Sequence, residues 1–124
     1  MDTVVDRLIR YAKVYSESDY HAGRSATPST DRQFDMAKLL VEELRGLGIE
    51  NARYDDKCYV YATLEPTPGC EHLPAIGLIA HMDTTPDMTG KDVKPQVLHY
   101  DGGDLVLNRE QNIVMEAARF PELP

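Results

Sequence analysis

The chain has 124 residues, of which 42% are hydrophobic, and its 21 acidic and 13 basic side chains leave a net charge of −8. That size and apolar content suit one small domain with a core of its own and exclude low-complexity and fibrous classes. The acidic excess, with Lys and Arg scattered along the chain, argues against nucleic acid as a partner, because phosphate binding relies on clustered basic side chains.

The two cysteines, Cys58 and Cys70, form no Cys-x-x-Cys motif and are too few for a disulfide scaffold, so both are expected to be reduced. The start, Met1-Asp2-Thr3-Val4-Val5-Asp6-Arg7, carries early acids and no long apolar region. Neither a secretory signal nor a membrane span is expected, which leaves a cytoplasmic protein as the default.

In chain order, the first predicted element is a helix from about Thr3 to Tyr15, since Val4, Val5, Leu8, Ile9 and Ala12 recur at helical spacing. Thr3 followed by Asp6 matches a hydroxyl N-cap with an acid in the first turn. Ser16 to Ser29 lacks periodicity and contains Gly23 and Pro28, so it reads as a long loop, and loops of that length in compact domains are often functional. Thr30-Asp31-Arg32-Gln33 reads as a capping box opening a second helix, on which Phe34, Ala37, Leu40, Val41 and Leu44 form a core-facing stripe. Gly46 and Gly48 mark its exit.

The period then changes. Ala52-Arg53-Tyr54 and Cys58 to Leu64 carry strand-forming residues, with Tyr59 and Tyr61 on one face, and Pro66, Pro68 and Gly69 follow as a loop. Ala75-Ile76-Gly77-Leu78-Ile79-Ala80 reads as a strand buried on both faces. Beyond it come a turn around Gly90, a strand at Val97 to Tyr100, and a glycine turn at Gly102-Gly103 before Asp104 to Asn108. The tail from Asn112 to Pro124 offers no final element, so the layer looks unfinished. The order implies an α/β fold, a mixed sheet flanked by helices.

The strand at Ala75 leads into His81-Met82-Asp83-Thr84-Thr85-Pro86-Asp87. Ligands and metals gather outside the carboxyl ends of strands in open sheets. In extended backbone His81 and Asp83 share a face, so the carboxylate can hold one imidazole nitrogen while the other binds a metal. Pro86 biases Thr85 to extended geometry and turns the chain away. The alternative is a polar cap, a histidine bonded to a nearby aspartate with no metal at all. Glu71, His72 and Asp87 form no metal pattern with His81, and one histidine cannot hold zinc. His21, His72 and His99 are expected on the surface or in loops. Asp87 could sit near a substrate amine or cap the next turn.

Pro28-Ser29-Thr30, Pro74-Ala75-Ile76-Gly77, the run His81 to Asp87, Gly90-Lys91-Asp92-Val93-Lys94-Pro95-Gln96 and Tyr100-Asp101-Gly102-Gly103-Asp104 occur in an order that resembles the peptidase T family, the aminotripeptidases of the co-catalytic di-zinc exopeptidases. The resemblance covers nearly the whole chain and implies that residues 1–124 are the N-terminal part of a peptidase catalytic domain. It implies that His81 is a zinc ligand and Asp83 a catalytic residue, in a site of two zinc ions acting on a small peptide. The family's bridging aspartate, glutamate base and other ligands lie downstream of the matched region. The chain alone is therefore expected to be inactive toward tripeptides. Two other readings stand beside it: a non-catalytic interaction module that self-associates through an open sheet edge, and a related di-zinc amidohydrolase acting on acyl-amino acids.

Overall fold

The structure is a computed structural model that describes residues 2–23 and 26–123. Helix α1 spans Val4–Ala12. Its N-terminus is closed by a capping box, in which the Asp6 amide donates to Thr3 Oγ1 at 3.1 Å and the Thr3 amide donates to Asp6 Oδ2 at 2.9 Å. The helix stops at Ala12, short of the predicted Tyr15, and none of its residues is buried.

Helix α2, Gln33–Gly46, is the central element. Met36, Ala37 and Val41 on one face are buried, and Phe34 meets Tyr54 edge to face with ring centroids 5.9 Å apart. The predicted capping box is not formed: Arg32 is the N-cap and makes no side-chain cap. Thr30 Oγ1 donates instead to the Glu17 carbonyl at 2.7 Å, and the Gln33 amide turns to Ser29 Oγ at 3.0 Å. The Thr30 hydroxyl is aimed at Glu17 and accepts from Gln33 Nε2 at 3.3 Å, not from a backbone amide of the first turn. The exit follows the expected chemistry. Gly48 has φ +89°, its amide donates to the Arg45 carbonyl at 2.9 Å, and the Ile49 amide donates to the Leu44 carbonyl at 3.0 Å, the paired bonds of a Schellman ending.

Strands β1, Arg53–Tyr54, and β2, Val60–Tyr61, form an antiparallel hairpin against α2. Asp55 organises its turn, accepting from the Lys57 and Tyr59 amides at 3.0 and 2.9 Å while Cys58 takes a left-handed φ of 65°. Ala52 and Cys58 complete the core beneath it. Tyr59 and Tyr61 share a face as expected, 6.4 Å apart. Both cysteines are free.

A second antiparallel hairpin pairs β3, Leu105–Asn108, with β4, Ile113–Met115, through a bulge between Val106 and Asn108. A short 3-10 turn follows at Ala117–Arg119. The tail is therefore not without a closing element, because Ile113–Met115 pairs back on Leu105–Asn108. The α/β class holds, with two helices and two small antiparallel sheets.

The expectation of a buried central strand is overturned. Ala75–Ala80 is neither a strand nor buried, with Ile76, Leu78 and Ile79 exposed at 89, 94 and 101%. A buried strand needs neighbours to pair its backbone and cover both faces. Among the described residues nothing does either. Val97–Tyr100 likewise forms no strand.

Candidate functional site

His81 and Asp83 meet. His81 Nδ1 lies 3.2 Å from Asp83 Oδ1, with the imidazole 85% exposed and the carboxylate 37% exposed. Donation from Nδ1 fixes the tautomer and leaves the lone pair on Nε2 for another partner. The pair forms without the strand that was expected to deliver it.

The loop after α1 holds the following residues. The Ser18 amide donates to the Thr84 carbonyl at 2.9 Å, the Thr84 amide donates to the Ser16 carbonyl at 3.3 Å, and Glu17 and Thr84 make an isolated parallel bridge. Ser16 is wholly buried at this seam. Glu17 adds a side-chain anchor, its Oε2 accepting from the Gly90 amide at 2.9 Å. Arg32 stands 3.7 Å from the other Glu17 oxygen and stacks over the Tyr15 ring at 4.3 Å.

Pro86 and Asp87 form a turn, as Pro86 implies. Asp87 does not cap it. The Asp87 amide instead donates to Thr85 Oγ1 at 3.4 Å, and the Asp87 carboxylate accepts from the Thr85 hydroxyl and from the Tyr20 phenol, the latter at 3.0 Å. Tyr20 Oη is also 3.0 Å from Thr85 Oγ1. Hydroxyl donation, first from Thr85 and then from Tyr20, holds the Asp87 carboxyl below its ordinary value.

Glu17 and Tyr20 are absent from the residues picked out by sequence. Their partners in the Thr85–Gly90 segment lie 65 to 73 residues away, so no spacing rule reaches them. The length of the Ser16–Ser29 loop was the only signal. His21, His72 and His99 are exposed as expected, and His99 pairs with Asp101 at 3.0 Å. Among the described residues no three His, Cys, Asp or Glu side chains converge on a metal position. His81 fits a zinc ligand by donor chemistry, one ring nitrogen held by a carboxylate and the other free, but it is a single ligand.

No family model matches the chain. Among known proteins it is 50% identical to peptidase T of Alkaliphilus oremlandii (strain OhILAs) over 125 residues, which covers 99% of this chain and 30% of that protein. It is 48% identical to peptidase T of Geobacillus kaustophilus (strain HTA426) over 121 residues, covering 97% of this chain and 29% of that protein. Peptidase T of Clostridium novyi (strain NT) is 47% identical over 124 residues, with 99% and 30% covered. The resemblance read from the sequence motifs thus holds along essentially the whole chain, which is similar to peptidase T and spans about 30% of the length of those relatives.

Proposed function

We propose that this chain supplies part of the active site of a zinc-dependent aminotripeptidase acting on small peptides in the cytoplasm, with His81 as a metal ligand and Asp83 as its orienting carboxylate. The observation that carries this is the His81–Asp83 hydrogen bond in a chain 50% identical to a peptidase T. When bound, a pair of zinc ions supplies a hydroxide nucleophile at neutral pH and polarises the scissile carbonyl. Asp83 keeps the proton on Nδ1, so that His81 presents the Nε2 lone pair in a fixed direction.

Residues 1–124 belong in this reading to the N-terminal part of the catalytic domain, and His81 alone cannot retain zinc. The purified chain should hold far less than stoichiometric zinc after dialysis and leave tripeptides intact. EDTA-sensitive tripeptide cleavage by these 124 residues would refute their dependence on ligands from elsewhere. Reading the coding sequence past codon 124 tests the peptidase itself: an Asp-Asp pair and then a Glu-Glu pair should follow.

A second reading, an interaction module, is favoured by one observation, the uncharged and unpaired run Ala75–Ala80. Such a segment is a template for strand addition. Sedimentation showing a stable stoichiometric dimer, lost in Ile79→Lys, would support it; a monomer at all concentrations would discard it.

A further inference from the structure

Tyr20 is 68% exposed, so burial gives its ring little reason to stay where it is. Its hydroxyl nevertheless reaches one turn 65 and 67 residues away, lying against Thr85 Oγ1 and donating to Asp87 Oδ2, each at 3.0 Å. That turn directly follows His81 and Asp83. Its upstream flank is fixed by backbone bonds from Ser16 and Ser18 to Thr84, and its downstream flank by Glu17 on the Gly90 amide. Between these anchors the chain from Thr85 to Thr89 is exposed apart from the half-buried Pro86, and among the described residues Tyr20 is the side chain from the first loop that reaches it.

We propose that Tyr20 is a positioning residue of the candidate site, its phenol hydroxyl holding the Thr85–Asp87 turn and through it the direction of the His81–Asp83 pair. This rests on the reading of His81 and Asp83 as site residues. A phenol suits the task. It reaches across solvent with only two side-chain torsions to order, and as a donor to a carboxylate it makes the stronger, charge-assisted kind of bond. Thr85 completes the arrangement by meeting both the phenol and the carboxylate, so that three polar groups close on one another. Tyr20 needs no contact with substrate to matter, because a ligand's direction depends on the loop that carries it.

The test compares Tyr20→Phe, which removes only the hydroxyl, with Tyr20→Leu, which removes the ring as well, in the 124-residue chain by NMR. Both variants should speed amide exchange at Thr84 by roughly fivefold to tenfold, the scale of one hydrogen bond. In both, the His81 ring-nitrogen shifts should move from a single held tautomer toward the averaged values of free imidazole. The α2 amides should keep their protection, which shows that the fold survives. Tyr20→Phe behaving as wild type, with Tyr20→Leu alone disturbed, would assign Tyr20 a packing role and overturn the proposal. So would faster exchange at Thr84 with unmoved His81 ring shifts. None of these observables needs zinc or peptide, so a failure of the peptidase reading would register separately, in zinc retention and tripeptide cleavage.

Discussion

Glu17 accepts a hydrogen bond from the backbone amide of Gly90 at 2.9 Å, across 73 residues of sequence. The same carboxylate faces Arg32 at the foot of α2, so one side chain joins the candidate site loop to the helical core. Its side chain is only 15% exposed. Removing it leaves the half-buried Gly90 amide without its acceptor, while Arg32, 37% exposed, keeps Tyr15 as a partner. Glu17→Ala should cost about 1–3 kcal/mol, and Glu17→Gln, which keeps an acceptor, less than that. Urea unfolding checks this through a lowered midpoint at unchanged m-value. Equal midpoints for wild type and Glu17→Ala would mean the bond contributes nothing.

Acid should loosen the start of α1. The Thr3 hydroxyl and then the Thr3 amide donate to Asp6 and hold its carboxyl below the ordinary 3.8. A depressed carboxylate stabilises the folded form above its unfolded value, and that contribution is lost as pH falls through the folded one. Exchange at the Asp6 and Arg7 amides should therefore accelerate only below about pH 3.8. Asp55 is depressed in the same direction, chiefly by the Tyr59 amide, so the β1–β2 turn should loosen in the same window. Thr3→Ala, which removes the hydroxyl and keeps the backbone amide, should reduce the pH dependence at α1 while sparing it at the turn.

Two glycines two positions apart should respond with opposite signs. Gly46 ends α2 in helical conformation and Gly48 has φ +89°, and a methyl group would meet nothing within 4 Å at either. Only backbone preference remains to decide. Gly46→Ala should stabilise by up to about 1 kcal/mol, and Gly48→Ala should destabilise by about 1 kcal/mol. Thermal unfolding of the two single variants reads the contrast, and shifts of like sign would rule out the Schellman ending.

What the sequence disclosed depended on how far each interaction reaches. The Thr3–Asp6 cap, the Gly48 exit, the β1–β2 hairpin and the His81–Asp83 pair all join residues within about a dozen positions, where periodicity and turn chemistry act. The Thr30 box does not form because the Thr30 hydroxyl is oriented toward Glu17, 13 residues back, and away from the backbone amides it would cap. Glu17 and Tyr20 were missed for the same reason at greater separation. Ile113–Met115 was too short a run to stand out until its pairing with Leu105–Asn108 was known. Ala75–Ala80 failed differently: its composition describes a preference for burial, and composition does not supply the neighbouring strands that burial requires.

That difference between preference and placement yields a direct comparison between two aliphatic residues. Val41, 6% exposed on α2, packs in the core, whereas Ile79 is 101% exposed. Val41→Ala removes two buried carbons and leaves a small cavity, so it should cost about 2 kcal/mol. Ile79→Lys exchanges one exposed side chain for another and should change stability by no more than about 0.5 kcal/mol. Sequence patterning alone ranks them the other way, since a lysine in a two-sided buried strand would be the worse change. Urea unfolding of both variants at low protein concentration decides the matter, the dilution keeping any strand pairing between chains out of the measurement. A loss in Ile79→Lys as large as that in Val41→Ala would place Ile79 in a core and restore the buried strand.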